Sequence, residues 1–202
     1  MSTSRPMTKR PRAARTPAER PAQILDAAAR VLLRDGLIAT VEAIAAEAGL
    51  GKGTVYEYFG TKTQIFTALR TRCTDQTLAA GMRMVLQRPD APAIERVRRF
   101  LAGMFEFGVA NAELVSLLYH EAGIEEDNEL GPVKAQLLEL VQEGVDAGEL
   151  RIADPAFSVE FLLHGLHGIM ETTLARREPA KAVLKRVDDV LVALLSPVES
   201  AP

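Results

Sequence analysis

The sequence predicts an all-α protein of about nine helices joined by short connections. Apolar residues recur at helical spacing along nearly the whole chain, and the clearest case runs from Val183 to Leu195 at i, i+1, i+4, i+7, i+8, i+11 and i+12. No stretch shows the apolar–polar alternation of a strand. Glycine and proline fall between the apolar stretches, where helices start and stop. These features favour a fold without a sheet.

The composition is that of a chain with a sizeable core. Hydrophobic residues make up 48% and charged residues 25% of the 202 positions, as in ordinary globular domains. No apolar run reaches membrane-spanning length, and the basic N-terminus has no apolar segment behind it. Cys73 is the single cysteine, which excludes an internal disulfide and fits a reducing compartment. We therefore expect a cytoplasmic protein with no membrane partner.

Charge is distributed unevenly along the chain. Residues 1–20 contain six basic side chains and one acidic side chain, residues 1–62 sum to a formal charge of +4, and residues 63–202 sum to −7. A basic end on an acidic body is typical of a protein that meets phosphate at one end, although a solvated basic tail without a partner has the same composition. We expect residues 1–16 to form a disordered basic arm, since they hold little that packs.

Residues 40–62 have the pattern of two short helices joined by a tight turn. Gly49 ends the first, because glycine accepts the left-handed conformation of a helix C-terminus. The second is expected over Lys52–Phe59, with Val55 and Phe59 four apart on its inner face. Such a pair is a helix-turn-helix motif, whose second helix enters the DNA major groove. The apolar positions of the first helix, at i, i+3, i+4 and i+7, are Val41, Ile44, Ala45 and Ala48.

Another helix is expected before this motif, over residues 17–34. Thr16 is a suitable N-cap for it, Pro17 suits the first helical position, and Glu19 lies three residues after the cap. Gly36 stops this helix, and Thr40 caps the next one.

Six helices are expected after the motif. The penultimate one contains Gly165 and Gly168, each of which costs about 1 kcal/mol relative to alanine. Close approach of another helix would offset that cost. The six are expected over 62–86, 93–110, 112–122, 132–147, 155–176 and 180–195.

The second helix of the motif carries the residues expected to meet DNA. Lys52, Gly53 and Thr54 lie at its exposed N-terminal end, where groove-reading helices place their base contacts. Lysine pairs best with guanine O6 and N7, although it reaches phosphate alone equally well. Tyr56 lies on the outer face and is expected to contact phosphate or a base edge. Tyr58 is either a core ring or a rim contact.

Residues 20–70 contain many residues in one ordered pattern: R20-x₃-I24-L25-x-A27-A28, G36, T40, I44-A45-x₂-A48-G49-L50, K52-G53-T54-V55-Y56-x-Y58-F59 and K62. This pattern resembles the DNA-binding domain of the TetR (tetracycline-repressor) family. The family places a phosphate-contacting lysine at Lys62, and Thr40 is also expected to face DNA. Gly51 departs from the family pattern, in which serine or threonine commonly caps the helix and contacts phosphate.

The resemblance implies a homodimeric repressor with a helix-turn-helix head and an all-α ligand-binding and dimerisation body in each subunit. The head is expected over residues 17–62, continuing into the fourth helix to about residue 70, and the body over residues 71–202. The eighth and ninth helices of two subunits would form a four-helix interface. A small molecule in the body would change the spacing of the heads and release a palindromic double-stranded operator. The expected interface residues are Gly165, Gly168, Val187, Leu191 and Leu194.

Aromatic and methionine side chains of the body are candidates for an apolar effector pocket with a few polar groups. Such stripes equally serve as plain core. His120, His164 and Tyr119 are the candidates for polar contacts. The full set is Phe100, Met104, Phe107, Tyr119, His120, Phe161, His164 and Met170.

Other kinds of chemistry find little support. No nucleophile–base motif is present, and nothing near Cys73 in sequence lowers the pKa of its thiol, so we expect neither an enzyme nor a cofactor. His164 and His167 share a helix face, but a metal site needs three or four ligands, so no metal is expected. Two alternatives stay open. One is a metal-responsive regulator using His120, His164 and His167, and the other is a DNA-binding protein controlled without a small-molecule ligand.

Overall fold

The computed structural model describes residues 16–118 and 130–195, with side chains as far as residue 193. Nine α-helices and two turns of 3-10 helix form the regular structure of these residues, which contain no strand. The all-α prediction is confirmed. The helices are α1 (Arg20–Asp35), α2 (Val41–Ala48), α3 (Lys52–Phe59), α4 (Lys62–Leu86), α5 (Ala93–Ala110), α6 (Ala112–Ser116), α7 (Gly131–Asp146), α8 (Pro155–Arg176) and α9 (Ala180–Leu195).

The predicted helix over residues 17–34 divides into two parts. Pro17–Glu19 is a turn of 3-10 helix, and α1 begins only at Arg20. Pro21 has no N–H to donate to the carbonyl of Pro17, so the N–H of Arg20 makes that bond with the shorter 3-10 spacing. The expected cap is present, because the Glu19 carboxylate accepts bonds from the N–H and the hydroxyl of Thr16, at 2.8 and 2.9 Å.

The helix-turn-helix pair α2 and α3 has the predicted bounds. The hydroxyl oxygen of Thr40 accepts the N–H of Ala43 at 3.1 Å and so caps α2. Gly49 ends α2 with a φ of +68°, in the left-handed region. Val55 is fully buried and anchors α3 to the rest of the head.

The later helices agree closely with the sequence expectations. α4, α5, α8 and α9 have the predicted bounds, and α7 begins and ends one residue earlier than predicted. The described part of the helix expected over 112–122 is α6, and residues 119–122 lie outside the described residues. The sequence analysis did not predict the capping box at the start of α4. The N–H of Gln64 donates to the hydroxyl of Thr61 at 3.1 Å, and the N–H of Thr61 donates to Oε1 of Gln64 at 3.0 Å.

Buried side chains form two clusters. The head cluster joins α1, α2 and α3 to the first part of α4 and also includes Leu118. The body cluster joins the later part of α4 to α5, α7, α8 and α9. Cys73 belongs to the head cluster although it lies beyond residue 70. The continuous helix α4 therefore contributes to both clusters.

Two glycines let α4 and α5 pack closely. A Cβ added at Gly103 would collide with the backbone carbonyl of Ala80, and one at Gly81 would come within 2.7 Å of the Phe100 ring. Larger side chains at these points would push the two helices apart.

Candidate functional site

The outer face of α3 carries most of the residues expected to read DNA. Lys52, Gly53 and Tyr56 are exposed and Thr54 is half-buried, while Val55 turns inward. A Cβ added at Gly53 would meet nothing in the protein within 4 Å. Packing within the head therefore does not require glycine there, and the missing side chain leaves room for another molecule.

Lys52 is bound to a residue of α2. Its ammonium group donates a hydrogen bond to the carboxylate of Glu42 and lies 5.5 Å from the centroid of the Tyr56 ring. The hydrogen bond between them lowers the pKa of Glu42 and raises the pKa of Lys52. Both side chains are therefore charged at neutral pH.

The two ends of α3 differ in their side-chain contacts. The Tyr58 hydroxyl donates to the carbonyl of Pro17 at 3.2 Å, and its side chain is 39% exposed, so the ring lies at the rim of the head. Gly51 is the N-cap of α3 and supplies no side-chain bond. The first turn of α3 thus offers free backbone N–H groups to an anion.

Lys62 and Thr40 lie at the starts of the two helices that flank α3. Lys62 is half-buried, and its ammonium donates to the carbonyl of Leu37 at 2.8 Å. Thr40 is exposed beside the first turn of α2. Both helix N-termini carry a partial positive charge that favours phosphate.

A cavity of about 110 Å³ lies where α4, α5, α6 and α8 meet. Its lining is mostly apolar, and Thr77 and His167 are its polar side chains. Met104 and Met170 were expected in the pocket, whereas the other members come from four separate helices and from Leu130 before α7, and have no shared sequence signal. The lining residues are Cys73, Thr77, Met104, Phe105, Gly108, Val115, Leu130, Leu163, Leu166, His167 and Met170.

The structure separates the remaining pocket candidates. Phe100 is fully buried in the body cluster, and Phe107 packs against the head cluster. Phe161 and His164 line a different, open groove between α8 and α9. Tyr119 and His120 lie outside the described residues.

The Cys73 thiol forms part of the cavity wall and is 3% exposed. Burial raises the pKa of this thiol to about 11. The thiol is therefore protonated at neutral pH, and a thiolate reaction is disfavoured.

The open groove between α8 and α9 has a volume of about 580 Å³ and is largely apolar. Phe161 and Val190 are 60% and 56% exposed beside it. Cβ atoms added at Gly165 and Gly168 would meet nothing within 4 Å, so both glycines face outward.

The other residues expected at a dimer interface are placed differently. Val187 is half-buried in the groove wall, and Leu191 is only 3% exposed because it packs in the body cluster. The side chain of Leu194 lies outside what the structure describes.

The histidines of α8 make local contacts. Nδ1 of His164 donates to the carbonyl of Glu160 at 2.8 Å, and Nε2 of His167 lies 3.5 Å from Oε1 of Glu171. Among residues 16–118 and 130–195 no three His, Cys, Asp or Glu side chains are grouped as metal ligands would be. None of the described helices is long and apolar enough to cross a bilayer.

The fold and the exposed α3 define a helix-turn-helix protein, and comparison with known proteins gives its family. Residues 24–69 match the model of the bacterial regulatory proteins of the TetR family. An HTH-type transcriptional repressor of Streptomyces coelicolor is 28% identical over 158 residues, which are 75% of this chain and 78% of that protein. Residues 24–69 are therefore a DNA-binding domain of the TetR type, and three quarters of the chain is similar to a transcriptional repressor.

Solved structures of similar fold cover most of the chain. A TetR-like transcriptional regulator from Rhodococcus sp. RHA1 superposes with a TM-score of 0.64 at 22% identity, covering 88% of this chain and 96% of that one. The fatty acid degradation regulator FadR from Bacillus halodurans gives a TM-score of 0.71 at 21% identity, covering 85% and 97%. At this identity the likeness concerns the fold alone.

Proposed function

We propose that this protein is a repressor that binds a near-palindromic DNA operator as a homodimer and is released by a small, largely apolar effector. It would act in the cytoplasm, where operator DNA is found, and without a catalytic step. The observation that carries the proposal is the exposed outer face of α3, anchored from behind by the buried Val55. The Streptomyces coelicolor relative is itself a transcriptional repressor.

The proposed DNA contacts come from the head, over residues 17–62 and on to about residue 70. Lys52, Gly53, Thr54 and Tyr56 would meet the major groove, with Tyr58 at the rim. Thr40 and Lys62 would meet phosphate beside them. Residues 40–62 hold two basic and three acidic side chains, so further attraction to phosphate would come from the basic arm at residues 1–16.

The proposed dimer forms through the outward face of α8 and α9. Exposed aromatic and aliphatic side chains beside two outward-facing glycines make a surface that another helix pair can approach closely. Phe161, Gly165, Gly168 and Val190 would be central to it, and Val187 would lie in the groove wall. Leu191 supports this face from beneath, because it is already buried within the subunit.

The proposed effector site, within the body over residues 71–202, is the cavity at Met104 and Met170. Its volume of about 110 Å³ is below the ~300–1,000 Å³ of common ligand sites, so the two flexible methionines would move to admit a ligand. Cys73 and Val115 line the cavity and also pack in or against the head cluster. A ligand that displaced them would therefore act directly on the head.

The small volume also favours a second candidate, a DNA-binding regulator controlled without a small molecule. A partner acting on the body would then replace the effector. The two candidates differ in whether any apolar compound stabilises the isolated protein.

Selection from a random-sequence DNA pool tests the proposal. The wild-type protein should enrich a duplex that contains two half-sites related by two-fold symmetry. The centres of the half-sites should lie one helical turn, ~34–36 Å, or a whole number of turns apart. That duplex, placed over a promoter, should lower reporter expression in cells that make the protein. Enrichment of no sequence, or of one without two-fold symmetry, would overturn the proposal.

A further inference from the structure

Glu42 and Lys52 form an ion pair between α2 and the N-terminal end of α3. Glu42 is the second residue of α2 and Lys52 is the first residue of α3. Their side chains are 60% and 49% exposed, so the pair lies on the surface and contributes little to folding. It nevertheless engages the lysine best placed to meet DNA.

We propose that Glu42 is a specificity-determining residue, which holds the Lys52 ammonium so that this group contacts a base edge more readily than a phosphate. The inference rests on the proposed function of α3 in DNA binding. It extends that function, because it gives a role to an acidic residue on the surface that meets DNA.

The reason lies in the different charges of the two DNA partners. A lysine ammonium has three N–H donors, so a bond to Glu42 leaves donors for guanine O6 or N7. The base edge carries no net charge and tolerates the carboxylate beside it. A phosphate brought to Lys52 would instead lie next to the Glu42 carboxylate and be repelled. Glu42 therefore weakens non-specific binding more than specific binding.

The surroundings of the Lys52 ammonium differ from those of the Lys62 ammonium. The Tyr56 ring lies 5.5 Å from the Lys52 ammonium and further limits its movement. The Lys62 ammonium bonds the carbonyl of Leu37, so it has an uncharged partner there and stays attractive to phosphate. Lys52 is thus placed to contact a base edge, and Lys62 is placed to contact a phosphate.

The test compares Glu42→Gln with wild type on two duplexes over a range of salt concentrations. One duplex is that enriched by the wild-type protein from a random pool, and the other is a scrambled duplex of equal length and composition. Affinity for the scrambled duplex should rise about fivefold, with a salt slope steeper by about 0.9. Affinity for the enriched duplex should change less, so the ratio of the two affinities falls.

Two further variants separate this role from a general charge effect. Glu57→Gln removes an exposed negative charge from α3, the helix that carries Lys52, and should leave the affinity ratio unchanged. In a Lys52→Gln background, Glu42→Gln should no longer affect the ratio. Thermal unfolding of each variant checks that the head stays folded.

The outcomes distinguish this inference from the proposed function. An enriched duplex with an unchanged ratio in Glu42→Gln would overturn the inference alone. An equal fall of the ratio in Glu57→Gln, or a fall that persists without Lys52, would also overturn it. A pool that yields no enriched duplex would overturn the proposed function and the inference together.

Discussion

The ammonium group of Lys62 donates a hydrogen bond to the carbonyl oxygen of Leu37 at 2.8 Å and lies 5.3 Å from the centroid of the Phe66 ring. Lys62 is the first residue of α4, so its bond to Leu37 joins the start of α4 to the segment before α2, whereas its contact with Phe66 lies within α4. Neither partner carries a negative charge. The lysine is therefore held in place with its charge available to phosphate.

Lys62→Ala should weaken binding to all DNA sequences alike, because a phosphate contact carries no sequence information. The slope of log affinity against log salt should become shallower by about 0.9, the value for one phosphate contact. Lys185→Ala removes the same charge from an exposed position on α9 and should leave the slope unchanged. A slope in Lys62→Ala equal to that of wild type would contradict the assignment.

Phe161→Glu and Val190→Glu should each convert a dimer to monomers in sedimentation velocity, since each places a charge on the exposed apolar face of α8 and α9. Leu86 is 66% exposed at the end of α4, so Leu86→Glu is a control that should leave assembly intact.

Leu191→Glu is expected to behave differently from these two variants. Leu191 is 3% exposed within the subunit, so a charge there should unfold the body rather than dissociate a folded dimer.

Dimers that persist in both Phe161→Glu and Val190→Glu would rule out the exposed face of α8 and α9 as the interface.

Met170→Phe should abolish stabilisation by apolar effectors, because a stiffer, bulkier ring would occupy the small cavity. The measurement is a thermal-shift screen of apolar compounds that carry one or two polar groups. Met82→Phe is the matched control, since Met82 packs against the body cluster and does not line this cavity. Stabilisation by hydrophilic compounds only would refute an apolar effector.

Cys73 should make stability fall with pH in the alkaline range. Its thiol pKa rises from 9.0 to about 11 because of burial, so the unfolded chain loses this proton first. The contribution is fully present below pH 9.0 and is lost as pH rises towards 11. The free energy of unfolding, measured by urea titration over that range, should therefore fall more steeply in wild type than in Cys73→Ala. Parallel slopes would show that the thiol titrates normally.

Local signals predicted the ends of the helices well. Thr40 is predicted to cap α2, and its hydroxyl oxygen accepts the N–H of Ala43 at 3.1 Å. Asp154 caps α8 in the same way, and its carboxylate accepts the N–H of Phe157 at 3.0 Å. The helix predicted over residues 17–34 starts too early, because Pro21 removes the donor that a continuous helix from Pro17 needs. Such features involve residues three or four apart, so a sequence pattern is informative about them.

Contacts between helices were less accessible to sequence reasoning. Phe100 and Met104 are both large apolar residues of α5 and both are buried in the body cluster, yet only Met104 lines the cavity. Leu191 has the spacing of an interface residue but faces the interior of its own subunit. These differences depend on how α5, α8 and α9 rotate and cross, which periodicity alone does not specify.

By itself the sequence determined that the chain is helical, where most helices begin and end, and which short stretch forms the helix-turn-helix motif. Helical periodicity and capping act within one or two turns, so they can be read from neighbouring residues. Only the tertiary structure decided that Glu42 holds Lys52, that Leu37 holds Lys62, and that Cys73 lines a cavity shared by four helices. Those relations arise where separate helices meet, and their geometry follows from the packing of the whole core.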